Sequence, residues 1–341
     1  MLSRNRKISI LDCTLRDGGY VNDFKFGFES AQRISSGLSD GGIDIVELGF
    51  LKDEPYQKDR TIFSNIDQAE ALIPSDRGLA EYCVMIRPDW VDIEKLTSSE
   101  LIGSIRFAFH PKDLEHTVMQ ANYAIDLGYS VFLNPVNITS YADDEIIFIL
   151  RRISDVKASG ISIVDTFGSM QELDLYRLTS LFHRELNESV PIGLHLHENL
   201  ASSFLLAQKF LEILPPGRDC IIDTSILGLG RIPGNLQTEQ MVQFLNSRHG
   251  ANYNLMSVLK LAYDEILPLK KFFSWGYSPE YAVSASLGVH RSYAEYAVST
   301  RGLSFDIACE LMASVAFSGK GKTFDEAYFQ SLIDSRFDLE T

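Results

Sequence analysis

The feature that most restricts the fold is an alternation. Short apolar runs, each followed by a stretch with apolar residues at helical spacing, recur eight times between Ile8 and Arg248. The runs are Ile8 to Leu11, Ile43 to Phe50, Leu79 to Ile86, Ile102 to Phe109, Ser130 to Pro135, Ile161 to Val164, Ile192 to Leu196 and Ile221 to Ile226. They are nearly continuous in apolar residues rather than alternating, as expected of strands buried on both faces of a parallel sheet. The intervening helices are expected at Phe28 to Leu38, Ile66 to Ile73, Val91 to Leu96, Leu114 to Leu127, Asp143 to Ala158, Gln171 to Leu186, Ser202 to Leu214 and Leu236 to Arg248. Eight such units in about 250 residues fit a TIM (β/α)8 barrel better than an open doubly wound sheet. No Gly-x-Gly-x-x-Gly follows the first strand, which weakens the dinucleotide-binding alternative.

From Asn254 the alternation stops. Helical patterns take over at Leu255 to Phe273, Pro279 to Leu287, Ser292 to Ser299, Phe305 to Ala316 and Phe324 to Ser335. The expected organisation is therefore a barrel over residues 1–250 and a C-terminal helical domain over 251–341. The net charge of −15 argues against a nucleic-acid surface, which needs clustered Lys and Arg. No apolar run is long enough to span a bilayer, and the N-terminus lacks the apolar region of a signal peptide, so a cytoplasmic protein is expected. Cys13, Cys83, Cys220 and Cys309 are widely spaced, without a Cys-x-x-Cys pair, and read as reduced, buried thiols.

In a TIM barrel the chemistry sits at the C-terminal ends of the strands, so the polar residues found there form the candidate site. Strand one leads into Arg16, Asp17 and the pair Gly18-Gly19. Neighbouring strand residues face opposite sides, so Arg16 and Asp17 can serve one site only where the backbone leaves the pleat, which the glycines permit. Alone, the pair also fits a solvated ion pair opening a loop. Strand seven carries His195 and His197, two apart and therefore on one face, roughly 7 Å apart at about 3.3 Å of rise per residue. With Asp17 they form a facial ligand set with open positions for substrate oxygens, suited to Mn²⁺ or Mg²⁺, with Zn²⁺ an alternative. By itself His-x-His equally fits paired core histidines. Glu47 interrupts an apolar strand and, if buried, needs a partner, for which Arg16 on the adjacent strand is the obvious candidate; a strand-end Glu reaching solvent is the other reading. Asp165-Thr166 and Asp223-Thr224-Ser225 read as supporting or structural groups.

Taken together, four segments resemble the DRE-TIM metallolyase (HMGL-like) superfamily. They are Asp12-Cys13-Thr14-Leu15-Arg16-Asp17-Gly18, Glu47-Leu48-Gly49, His195-Leu196-His197-Glu198-Asn199 and Gly228-Leu229-Gly230-Arg231-Ile232-Pro233-Gly234-Asn235. The superfamily includes 3-hydroxy-3-methylglutaryl-CoA lyase, isopropylmalate and homocitrate synthases, and 4-hydroxy-2-oxovalerate aldolase. The resemblance implies Asp17, His195 and His197 as metal ligands, Asn235 as a ligand or near-ligand, and Arg16 as the group that stabilises an enolate. The loop after strand eight has no cysteine, unlike the lyase branch. Tyr20 stands where other branches keep glutamine or histidine. Trp275-Gly276-Tyr277-Ser278-Pro279-Glu280-Tyr281 resembles the Gly-Tyr-x-x-x-Tyr of the aldolase's helical domain, which makes Tyr281 a candidate for the active site; an aromatic packing a helix onto the barrel is the alternative.

The expected activity is that of a class II, metal-dependent aldolase, a carbon-carbon lyase that cleaves a 4-hydroxy-2-oxo acid to pyruvate and an aldehyde, with Arg16, Glu47, Tyr20 and Tyr281 as catalytic candidates. The base is open among Tyr20, His110 and a metal-bound hydroxide. The rival readings are a Claisen-type acyltransferase using an acyl-CoA and a non-catalytic barrel acting as a binding subunit. By resemblance, an aldehyde dehydrogenase partner and a homo-oligomer are expected.

Overall fold

The computed structural model describes residues 6–338. Eight parallel strands close into a barrel: β1 (Ile8–Asp12), β2 (Ile45–Leu51), β3 (Glu81–Ile86), β4 (Ser104–Phe109), β5 (Ser130–Pro135), β6 (Gly160–Asp165), β7 (Ile192–Leu196) and β8 (Cys220–Thr224). Closure is made by β1, which pairs with β8 from Ile8↔Cys220 to Asp12↔Thr224 and with β2 at Leu11↔Ile45. A two-residue strand, Ile62–Phe63, adds to β2 outside the barrel. The TIM barrel expected from the alternation is the observed architecture, with further helices C-terminal to it.

Strand periodicity sorts side chains into two layers. Ile10, Val46, Val84, Leu194 and Leu196 face outward into the core shared with the helices. Leu11, Ile45, Cys83, Phe132 and Ile221 point inward and plug the barrel. One step further along the same inward faces come Glu47, Arg106, Asn134, His195 and Asp223, all buried. The apolar plug thus forms the floor on which a polar layer stands.

Helix ends follow local chemistry. The Asn65 side chain caps Ile66–Glu70 by accepting from Gln68 N at 3.1 Å. Asp143, Asp144 and Glu145 open the helix Asp143–Ile153 and Arg151 and Arg152 close it, which matches the helix dipole. Val91 to Leu96, expected as a short helix, forms only a 3₁₀ turn at Ile93–Lys95. The helix expected over Leu255 to Phe273 is three segments: an α-helix at Leu255–Leu261, a π-helical turn at Ala262–Ile266 and a 3₁₀ stretch at Leu267–Lys271. Pro268 has no N–H to continue the α ladder, and the backbone changes its pitch around it.

The helix Leu255–Leu261 packs Val258 and Leu261 into the barrel's own core, as do Ile266 and Trp275. A second apolar cluster gathers Tyr281, Tyr293, Leu311, Met312, Phe329 and Ile333, with Ile232 of the loop after β8 packed against it. Cys13, Cys83 and Cys220 are buried free thiols; Cys309, on the helix Phe305–Phe317, is only half-buried. Among the described residues no helix is long and apolar enough to cross a membrane.

Candidate metal and substrate site

Arg16 and Asp17 reach the barrel mouth by a route that strand geometry did not foresee. β1 ends at Asp12, and Thr14–Asp17 form one helical turn. Asp12 holds that turn in place, accepting from Thr14 N at 2.8 Å and Thr238 Oγ1 at 2.6 Å. The backbone leaves the pleat here as expected, but not through glycine's conformational freedom: Gly18 has φ −58°, open to any residue. What the glycines supply is room. A Cβ on Gly18 would lie 2.9 Å from Leu229, and one on Gly19 would lie 2.1 Å from the Phe24 ring.

Five charged side chains and His195 form a continuous chain across the mouth. Asp17 Oδ1 accepts from Arg16 Nη1 at 2.5 Å, and Arg16 Nε donates to Glu47 Oε2 at 2.7 Å. Glu47 Oε1 accepts from Arg106 Nη1 at 3.1 Å, and Arg106 Nη2 donates to Asp223 Oδ2 at 2.6 Å and to Asn134 Oδ1 at 2.9 Å. His195 Nδ1 donates to Asp223 Oδ2 at 3.0 Å. The expected Glu47–Arg16 pair is therefore present, but Glu47 also holds a second guanidinium. Arg106 was missed in the sequence although it gave the same signal as Glu47, a charge inside an apolar strand.

The chain closes through the ligand candidates. Donor atoms of Asp17, His195 and His197 lie within 4.8 Å of one another, and His197 Nε2 is 3.8 Å from Asp17 Oδ2. Both imidazoles are oriented from behind. Asp223 holds His195 by Nδ1, and the Asp165 backbone carbonyl accepts from His197 Nδ1 at 2.8 Å, which leaves each Nε2 facing the cluster. His197 Nε2 is buried without a hydrogen-bond partner among the described residues. Burial, then the neighbouring His195, pushes the His197 imidazole down to about 3, so it is neutral and able to ligate. Burial raises the Asp17 carboxyl, but Arg16 and the two histidines outweigh it and hold the group well below the usual carboxylate range. An orphaned, neutral imidazole nitrogen beside an ionised carboxylate is the donor set a divalent cation needs, so the residues fit the metal.

Asn235 sits beside this cluster rather than with its oxygen in it. Its Nδ2 donates to Asp17 Oδ2 at 2.7 Å, and its Oδ1 has no partner among the described residues. The loop that carries it comes so close that a Cβ on Gly230 would lie 2.1 Å from Asn235 Nδ2 and 2.8 Å from Asp17 Oδ2. Glycine at 230 is thus required for the approach.

A cavity of about 380 Å³ opens above the cluster, lined by Arg16, Asp17, His195 and His197 on its floor. Tyr20 lies in its wall, 38 % exposed, edge-on to Phe24 and Phe50 with the Arg231 guanidinium 5.7 Å from its ring centre. Desolvation and then Asp17 push its phenol up, so it stays protonated. Tyr281 does not line the cavity. It is 4 % exposed and packs in the second apolar cluster, where desolvation pushes its phenol up to about 12. From the C-terminal region the cavity is lined by Lys322, Thr323, Phe324 and His290, the last edge-on against Phe167 at 5.5 Å. No motif marked His290, because only the packing of the C-terminal helices onto the mouth brings it there. His110 also lines the cavity.

The HMGL-like family pattern matches residues 7–264. The chain belongs to that family. HMGL-like relatives include the homocitrate synthase of Pyrococcus horikoshii, 26 % identical over 247 residues, which covers 71 % of this chain and 66 % of that protein. The chain thus spans just under two thirds of that synthase. The 4-hydroxy-2-oxovalerate aldolase of Pseudoalteromonas translucida is 24 % identical over 340 residues, 95 % of each chain. Among solved structures, the N-terminal domain of a Bacteroides vulgatus protein named as an aldolase candidate superposes with a TM-score of 0.74 at 22 % identity, over 87 % of this chain and 98 % of that one. That likeness concerns the fold.

Proposed function

We propose that this HMGL-like chain is a divalent-metal-dependent aldolase that cleaves a 4-hydroxy-2-oxo acid to pyruvate and an aldehyde. The observation that carries the reading is the direct coupling of the donor cluster to a cation: Asp17, which would ligate, is also bonded at 2.5 Å to Arg16, and both line one cavity. Two further facts favour it over the acyl-CoA reaction. A 380 Å³ cavity lies near the lower end of ligand pockets, about 300–1,000 Å³, and suits one small acid. The match to this aldolase spans 95 % of the chain, against 71 % for the homocitrate synthase.

Asp17, His195 and His197 would hold the metal, with Asn235 fixing Asp17. When bound, the ion would act as a Lewis acid on the substrate's carboxylate and keto oxygens. The charges of this chain fit that task. Asp17, Glu47 and Asp223 against Arg16 and Arg106 leave one net negative charge, which a divalent ion reverses, so an anionic substrate is then attracted. Arg16, with Nε on Glu47 and Nη1 on Asp17, has Nη2 left to bond the C2 oxygen as it gains charge. A base takes the C4 hydroxyl proton, the C3–C4 bond breaks with its electron pair passing into the C2–C3 enolate, and the aldehyde leaves. Protonation at C3 completes pyruvate. His110 lines the cavity, and burial lowers its imidazole, so it is neutral and able to accept that proton, whereas His290, pushed down to about 3, is too weak a base. Tyr20, protonated, donates to the leaving carbonyl instead.

The test is incubation of 4-hydroxy-2-oxovalerate with the Mn²⁺- or Mg²⁺-loaded protein, with pyruvate read by coupled reduction to lactate. Metal-dependent pyruvate release is expected; release of free CoA from acetyl-CoA and a 2-oxo acid would identify the acyltransferase reaction instead. A cytoplasmic location, a homo-oligomer and an aldehyde dehydrogenase that takes the aldehyde belong to the same reading, and co-purification tests the last.

A further inference from the structure

Above the donor cluster the cavity wall changes sign. The carboxylates that line the cavity are Asp17 and Asp223, both on the floor and both already paired with guanidiniums. Beyond the strand ends the charged lining consists of Arg87, Arg231 and Lys322, joined by His110 and His290. In a chain of net charge −15 the rim of this opening is cationic.

Two of these cations are poorly matched. Among the described residues Arg231 makes no ion pair; its Nε is buried without a partner, and its guanidinium has one polar contact, His290 Nε2 at 3.5 Å. Lys322 donates to the Ser140 backbone carbonyl at 3.0 Å and meets no carboxylate among the described residues. Arg87 is the better held of the three, with two bonds of 3.3 Å to the exposed Asp89 and its guanidinium 4.8 Å from the Trp90 ring centre. The groups also crowd one another. Burial and then Arg231, Arg291 and His110 push the His290 imidazole down to about 3, and burial and Arg231 push the Arg291 guanidinium down to about 10. A cluster of like charges in a partly desolvated wall is destabilising by itself and is relieved by an anion.

We infer that the mouth formed by Arg231, Arg87 and Lys322 is a subsite for a second anionic group, so that the aldehyde half of the substrate ends in a carboxylate or a phosphate. The inference rests on the aldolase reading for the other half of the molecule, whose carboxylate and keto oxygens occupy the floor beside Arg16. The substrate class is then a dianionic 4-hydroxy-2-oxo acid. Arg231 is the central contact, because its backbone N–H also bonds Asp17 Oδ2 at 3.2 Å and ties the two ends of the site together.

Two measurements test this separately from the aldolase chemistry. The first is calorimetric titration of the metal-loaded protein with inorganic phosphate. Wild type is expected to bind it, and Arg231→Gln to bind it about tenfold to a hundredfold more weakly, the size of one charge-assisted hydrogen bond. Lys322→Gln should weaken it less. No binding at millimolar phosphate, or binding that Arg231→Gln leaves unchanged and Asp17→Asn removes, overturns the inference. The second is condensation of pyruvate with acetaldehyde, glyoxylate or glyceraldehyde 3-phosphate. The ratio of kcat/KM for an anionic aldehyde over acetaldehyde should fall by about tenfold to a hundredfold in Arg231→Gln. Whichever anionic aldehyde shows that fall identifies carboxylate or phosphate as the group. A ratio that neither variant changes overturns the inference. Exchange of the pyruvate methyl protons by wild type in D₂O reports on the floor alone. If exchange fails while phosphate binding still depends on Arg231, the aldolase reading falls and the anion subsite stands.

Discussion

Replacing Glu47 by Gln removes the charge at the centre of the network with almost no change in shape. Glu47 is completely buried and accepts from Arg16 Nε at 2.7 Å and Arg106 Nη1 at 3.1 Å. Each charge-assisted bond contributes about 1.5–3 kcal/mol, so two of them contribute about 3–6 kcal/mol, and a Gln oxygen recovers about 1 kcal/mol as a neutral acceptor. Its NH₂ then faces the other guanidinium. Both guanidiniums keep one carboxylate, Asp17 for Arg16 and Asp223 for Arg106, so neither becomes an unpaired buried charge. The expected destabilisation is about 2–5 kcal/mol, read as a lowered urea midpoint with an unchanged slope. A companion double variant, Glu47→Leu with Arg106→Met, should be more stable than the sum of its single changes, because charge and partner leave together. It should still lack activity, since Arg16 is no longer held. A Glu47→Gln loss under about 1 kcal/mol would refute the idea that this network holds Arg16.

Three further outcomes follow from the geometry. Asp223→Asn should weaken divalent-metal affinity by about tenfold to a hundredfold, measured by chelator competition, because it loosens His195 at Nδ1. Gly19→Ala should cost about 1–3 kcal/mol in thermal or urea unfolding and disturb the Tyr20 fluorescence environment, because the added Cβ would displace Phe24, against which Tyr20 packs at 5.2 Å. Burial raises the Asp12 carboxyl from its ordinary 3.8 to about 6. The folded chain therefore binds this proton more tightly than the unfolded one, and the group's contribution to stability falls as pH rises from about 4 to about 6. Asp12→Asn should remove up to about 3 kcal/mol of that pH dependence, seen by comparing unfolding at pH 4 and pH 7; an unchanged profile would contradict the assignment.

The barrel was legible because its strands are buried on both faces and its helices on one, and these two patterns differ in period. Ser130–Pro135 and Ile192–Leu196 even have the expected boundaries. The turn at Thr14–Asp17 was not legible, because leaving the pleat there depends on bonds from Asp12 to Thr14 and Thr238 and on the room left at Gly18 and Gly19. Two of those contacts, Asp12 to Thr238 and Gly18 to Leu229, join residues more than 200 positions apart. His195 and His197 were readable from a two-residue spacing, whereas Arg106 needed the rule applied to Glu47 to be applied again on β4. Arg231 lies in a motif that gave it no role, and His290 carries no local signature. Their place at the cavity comes from packing of the C-terminal helices over the loop after β8, and the same packing takes Tyr281 into an apolar cluster instead.

The most direct test is deuterium exchange at the pyruvate methyl group in D₂O, followed by mass spectrometry, with the Mg²⁺- or Mn²⁺-loaded protein. It isolates enolate formation from the choice of aldehyde and from the base at C4. Exchange that requires the metal and is lost in Arg16→Ala and in Asp17→Ala is the predicted result. Absence of exchange by wild type, or exchange that survives in either variant, would contradict enolate chemistry at this cluster.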